Sequence, residues 1–406
     1  MIKELSGLSV HEIKACSYTL SKIINELRSC NSFSLEQEAA SKRISDDKKI
    51  FFIIYLRYYN FNMSKKVSTF IFFIFVLFHK QLLLASDYSI AFGSCLDQRK
   101  AQPIWHSIEK MDPNAFIFLG DNVYGDHPSQ NLAYLYEAYD QQETKLPRWL
   151  NTLKIYSIWD DHDYGLNDGG ASFMGKKESQ NIFIDFWGID PNDQRAKREG
   201  IYFSEKLVIQ DLNIKIIGLD TRYFRSDLKG NKNFYLNNND ENASILGATQ
   251  WQWLENEFNE EVDLVILLSS IQVLSTDHRF EKWSLFPAER DKLIKLINNS
   301  SNKTLILSGD RHRAGMYKLD EIIEITSSSM NKPIKTFSEK KGFEKYFDQA
   351  MDWVFYEDDE LALDKTYIKE NFGFIKIYSE QKLLELNIFD INGKSVLSHN
   401  LKLSKS

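Results

Sequence analysis

The sequence predicts an α/β protein, and three observations carry that prediction. Short apolar runs of four to seven residues recur from Tyr88 onward, helical patterns lie between them, and each run stops at polar residues. Runs of β-branched and aliphatic residues read as strands buried on both faces, and strands alternating with helices mark the α/β class.

The strands follow in order. YSIAFGSC ends in Cys95, and NAFIFLGDNVYGD ends in Asp121, Asn122, Tyr124 and Asp126. LKIYSIWDDHD ends in Asp160, Asp161, His162 and Asp163, and IKIIGLDTR ends in Asp220 and Arg222. VDLVILLSSIQV passes through Ser269, Ser270 and Gln272, and KTLILSGDRH ends in Asp310 and His312. The helical patterns are AQPIWHSIEKM after the first strand, NLAYLYEAYDQQ after the second, TQWQWLENEFNE before the fifth and PAERDKLIKLINN before the sixth. DINGKS at 390–395 has the composition of a hairpin turn.

In open α/β sheets, ligands bind beyond the carboxyl ends of the strands. A lone Gly-Asp there is an ordinary turn signal. Strand ends that together supply Cys, Asp, Tyr, His and Arg are not. Such a set can ligate a hard cation through carboxylates and a trivalent iron through thiolate, phenolate and imidazole. Two cations sharing a carboxylate would relieve the repulsion packed into WDDHD. Several other residues read as ordinary: His106 on a helix surface, Trp251, Trp253 and Phe258 as core, and Glu357–Glu360 as a solvated loop. Asp126, His127, Gln272 and His278 lie close enough to the strand ends to border the site. The loops at 226–245 and 331–366 match no motif.

The chain of 406 residues has a net charge of -7, with Lys and Arg dispersed, which gives no electrostatic footprint for nucleic acid. Its first part differs from the rest. MSKKVSTFIFFIFVLFHKQLLLAS, from Met63, has the basic, apolar and small-residue zones of a secretory signal peptide, so residues 63–86 are expected to direct export. His79 and Lys80 break the apolar core short of a membrane span, and Leu84 is a weak cleavage residue, which leaves a retained anchor as the alternative. Residues 1–62 are then expected to be an over-extended N-terminus with Met63 as initiator; SYTLSKIINELRSC also has the period of a small helical segment. Residues 87–406 form the expected functional domain. Of Cys16, Cys30 and Cys95, only the last lies in that domain, so it is either an inert buried thiol or a ligand.

FGSC, GDNVYGD, WDDHDYGLND and SGDRH resemble, in order and spacing, the signatures of the alkaline phosphatase D (PhoD) family of metallophosphoesterases. LDTRYFR, LGATQWQWLE, EKWSLFPAER and ENFGF extend the resemblance over roughly residues 88–378. The large N-terminal β-sandwich of some family members is not expected here.

The resemblance implies a four-layer α/β/β/α sandwich and a centre of one ferric ion with calcium. It implies Cys95 as thiolate, Tyr124 as phenolate and His312 as imidazole on iron, with Asp121 bridging the metals. Asp161 and Asp310 would bind the second metal, and Asn167 and Asp168 would complete the calcium shell. The cations would activate a hydroxide for in-line attack on a phosphate mono- or diester. His162 would stabilise the transition state or protonate the leaving alkoxide, and Arg222 would fork onto phosphate oxygens. Asp160 and Asp163 would fix the loop.

The expected protein is an exported monomer. It would touch a membrane only if the signal segment is retained. Two alternatives come from other classes. A serine esterase of the Gly-Asp-Ser type would need a D-x-x-H pair, which GDRH does not supply. A calcium-binding surface protein would leave Cys95, Tyr124, His162 and Arg222 without purpose.

Overall fold

Each of the six apolar runs forms a strand, and all six lie in the parallel parts of two sheets. The computed structural model describes residues 87–231, 234–334 and 357–403. The expectations for 1–62 and 63–86 therefore fall outside the described residues.

In chain order the elements are β1 (Tyr88–Gly93), α1 (Ile104–Lys110), β2 (Ala115–Leu119), α2 (Ala133–Glu143), β3 (Lys154–Ile158), α3 (Asp161–Tyr164), α4 (Lys176–Phe186), α5 (Gln194–Lys197), β4 (Phe203–Ile209) and β5 (Leu212–Gly218). A small hairpin follows, β6 (Lys229–Asn231) with β7 (Phe234–Leu236), then α6 (Gly247–Phe258), β8 (Leu264–Ser269) and α7 (Pro287–Asn299). β9 (Lys303–Ser308), β10 (Ala314–Leu319), β11 (Ile322–Ser327), β12 (Asn371–Tyr378), β13 (Leu383–Asp390) and β14 (Ser395–Lys402) complete the set.

One six-stranded sheet has the order β14-β13-β12-β1-β2-β3, the other β10-β11-β9-β8-β5-β4. β1, β2 and β3 are parallel, as are β5, β8, β9 and β11. The remaining neighbours pair antiparallel. The fold is thus mixed α/β with two mixed sheets.

Side-chain alternation assigns the faces. Ile90 and Phe92 of β1 share one core with Ile214, Ile266 and Leu305 of the other sheet. Ala91, between them, turns the opposite way to Trp105 and Ile108 of α1. In the second sheet, Ile217, Val265 and Leu267 pack on Leu254 of α6 and Leu293 of α7. Packing holds the helices more than capping does. Neither α6 nor α7 has a side-chain cap at its start. A cap contributes about 1 kcal/mol, whereas each fully buried Leu or Ile contributes about 1.5–3 kcal/mol.

The sequence reading passed over β11. Its run IIEITS is interrupted by Glu324, which is buried because its carboxylate accepts from the backbone N–H groups of Val273 (2.9 Å) and Leu274 (2.6 Å). DINGKS is the β13–β14 turn, closed by Asp390 accepting from Asn392 and Lys394. The chain just beyond β1 meets the chain just beyond β11 through a parallel bridge between Ser94 and Ser328. The carboxyl ends of the two sheets therefore converge.

Candidate metal centre

Beyond those strand ends the backbone takes a conformation that L-residues avoid. Cys95 (φ 57°), Asp121 (51°), Asp310 (58°) and His312 (52°) are all left-handed. Each such residue costs about 1–3 kcal/mol, and it persists only where its surroundings dictate it. Two glycines let the strand ends approach. A Cβ on Gly120 would lie 2.6 Å from the Asp160 Cβ, and one on Gly309 would lie 2.6 Å from the Ser94 hydroxyl.

Three overlapping donor groups result. Cys95, Asp121 and His312 form one, Asp121, Asp161 and His162 another, and Asp121, Asp160, Asp161 and Asp310 the third. Within each, one ligand atom per residue lies within 4.8 Å of the others. Asp121 belongs to all three. Its Oδ2 is 3.4 Å from the Cys95 sulfur and accepts from the Tyr124 hydroxyl at 3.0 Å, which itself lies 3.5 Å from His312 Nε2.

The loops are tied to one another as well as to the strands. Asp163 caps α3 in a reciprocal box with Asp160 and accepts from the backbone of Asp121 and Asn122. Ser328 lies 3.1 Å from the Cys95 sulfur and accepts from the N–H groups of Arg311 (2.7 Å) and His312 (2.9 Å).

The residues fit metal ions on an observation independent of any resemblance. Asp121 Oδ1, Asp160 Oδ2 and Asp161 Oδ1 are buried carboxylate oxygens with no hydrogen-bond partner. Buried charge in this state is strongly unfavourable unless a cation or donor meets it. Burial, reinforced by Asp121, pushes the Cys95 thiol and the Tyr124 phenol well up. Burial and the facing carboxylates likewise raise Asp160 and Asp310. A bound cation reverses that logic, since it holds thiolate and phenolate deprotonated. The thiol–phenol–imidazole side suits a transition-metal ion, and the all-carboxylate side suits a hard cation.

His162 borders the cluster, its side chain 16% exposed, with Nδ1 on the Asp126 carboxylate. Burial alone would lower its pKa, but Asp161, Asp121 and Asp126 outweigh burial and raise it to about 10. Of the pair flagged in sequence, Asp126 thus joins the site, while His127 turns to Ser129 and stacks on Tyr134 at 4.0 Å.

The structure brings together Cys95, Asp121, Tyr124, Asp161, His162, Asp310 and His312, and it gives three other expected site residues different surroundings. Arg222 is fully buried rather than open to substrate; its Nε donates to Asp160 at 2.6 Å and its Nη1 to Glu281 at 2.5 Å. Its planar fork is occupied by carboxylates, so phosphate oxygens have no access to it. Asn167 is exposed and turns its amide to Asp168. Asp168 stands outside the donor groups: its N–H donates to Asp161 at 2.7 Å and its carboxylate accepts from Tyr235.

Asp160 is expected to fix the loop, and one oxygen does accept from Arg222 and Ser270. The other faces the carboxylate group. Sequence reasoning also missed Ser328. Its signal was the SSS that begins at the last residue of the overlooked strand β11.

A model of the PhoD-like phosphatase family matches residues 90–386. Among solved structures, one described as the structure of PhoD aligns with a TM-score of 0.57 at 15% identity, over 77% of this chain and 72% of that one. GAP50, described as the anchor in the inner membrane complex of Plasmodium, aligns with a TM-score of 0.51 at 10% identity, over 78% and 89%. At such identities these likenesses concern the fold. No curated protein matches the sequence. The family match spans well over half the chain, and with it this protein belongs to the PhoD-like phosphatases.

Proposed function

We propose that the protein is an exported, metal-dependent phosphoesterase that hydrolyses phosphate mono- or diesters at the centre around Asp121. The observation that carries this reading is the shared carboxylate. Asp121 stands in every donor group, with a thiol, a phenol and an imidazole on one side and Asp160, Asp161 and Asp310 on the other.

Cys95, Tyr124 and His312 would hold ferric iron, and the three further carboxylates would hold calcium. When bound, the two cations supply Lewis acidity toward the phosphoryl oxygens and toward the attacking water.

The protein's own residues do the rest. Asp121, common to all the donor groups, would be the carboxylate shared by the two cations. Asp163 and Ser328 fix the loops that carry the ligands, so little reorganisation is needed at the moment of reaction. Asp126 holds His162 by Nδ1, which leaves the Nε2 edge to carry a proton toward the departing alkoxide. Export rests on the signal-like pattern at 63–86.

The test is elemental analysis of the purified protein together with hydrolysis of paired mono- and diester substrates. Stoichiometric iron and calcium with chelator-sensitive turnover is the expected result. A metal-replete protein that cleaves neither ester class would reject the reading.

A further inference from the structure

The geometry points to Lys332 as the residue that grips the substrate's phosphoryl oxygens from the protein side, a role that rests on the phosphoesterase reading above. The charges around the centre single it out. Arg222 and Arg225 are buried against Asp160 and Glu281. Arg311 is paired with Glu357, and Arg99 with Asp97. Among the described residues no ion pair joins Lys332 to a carboxylate, Asp121 and Asp97 attracting it only from beyond pairing distance, and its Nζ lies 3.1 Å from the centroid of the Tyr124 ring. It is half-buried, so its charge is only partly solvated.

The backbone holds it there. Met330 N–H donates to Ser94 (3.0 Å) and Asn331 N–H to Cys95 (3.4 Å), while Ile334 N–H donates to His312 (3.1 Å). The Asn331 side chain brackets Asp97, accepting from its N–H at 2.6 Å and donating to its carbonyl at 2.9 Å. Pro333 then restricts Lys332 to extended backbone. The segment is therefore stitched to the loops of two ligand residues, Cys95 and His312, with the lysine between the stitches.

Once cations neutralise the carboxylates, the Lys332 ammonium is a point charge held beside Tyr124 at the edge of the centre, with an anion as its natural partner. A phosphomonoester dianion gains more from it than a diester monoanion, because the attraction scales with charge. Lys332 is thus a substrate-binding residue that favours the more highly charged ester, taking the part that sequence reading had given to Arg222.

The test uses Lys332→Met and Lys332→Arg in the metal-loaded protein. The readouts are KM for a monoester and a diester, inhibition by inorganic phosphate, and bound metal. Loss of one charged hydrogen bond predicts that Lys332→Met raises the monoester KM and the phosphate inhibition constant in parallel by about 10–100-fold. The diester KM should move less, metal content should hold, and Lys332→Arg should recover part of the loss. Unchanged phosphate inhibition, or metal loss in step with activity, would overturn the assignment. If the wild type cleaves neither ester, the phosphoesterase reading fails on its own. Calorimetric binding of inorganic phosphate to wild type and Lys332→Met then decides the lysine's role separately.

Discussion

Replacing Arg222 with methionine separates a positioning role from substrate recognition. The guanidinium is fully buried and bridges two carboxylates, Asp160 and Glu281, that are themselves 1% exposed. Methionine fills much of the volume but leaves both carboxylates without that partner. Glu281 keeps Arg225, whose Nε is 2.8 Å away, so Asp160 alone loses its charge partner and keeps the neutral Ser270 hydroxyl and the α3 capping box. Breaking one buried pair from one side costs about 3–5 kcal/mol. With a urea dependence of about 2–3 kcal/mol per molar, the unfolding midpoint should fall by about 1–2.5 M.

The loss should be largest in metal-free protein. There Arg222 is the cation nearest Asp160, whereas a bound metal offsets part of the deficit. The assay is equilibrium urea unfolding of wild type and variant, each stripped and metal-loaded, with KM measured alongside. A variant of unchanged midpoint whose KM alone rises would refute this placement and return Arg222 to the substrate.

Three further outcomes follow from the same geometry. Asp161→Ala, which removes a carboxylate common to two donor groups, should abolish hydrolysis, whereas Asp163→Asn should retain activity reduced about 10–100-fold; kcat/KM for both variants checks this, and equal losses would contradict the assignment. Iron held by Cys95 and Tyr124 should colour the protein, and Tyr124→Phe should shift the visible band while circular dichroism stays unchanged; a colourless wild type active with zinc alone would remove iron from the site. Asp126→Asn should slow esters with poorly acidic leaving alcohols by about 10–100-fold and nitrophenyl esters much less, because it weakens the hold on His162 Nδ1; a uniform loss across leaving groups would take the proton-donor role from His162.

The sequence by itself determined the class of fold and the places where chemistry gathers. Apolar runs such as AFIFL and LVILLS are long enough, and free enough of charge, to demand burial on both faces, and they became central parallel strands. Local pattern failed where a buried charge was satisfied by distant backbone. Glu324 hid β11 in this way, and with β11 went the serines that support Cys95 and His312.

Within the site, residue types were legible but partners were not. Asp160 and Asp161 are adjacent in sequence, yet one reaches Arg222 and the other the Asp168 N–H. Arg222 looked available because nothing local marks Glu281, 59 residues on, as its partner. Lys332 looked unremarkable because its meaning comes from two stitches to loops far away in the chain. Burial pattern is written into each segment by its own side chains. Which charge meets which is decided only when the two sheets' carboxyl ends are brought together, because electrostatic partnership depends on distance in space and solvent exclusion rather than on order along the chain.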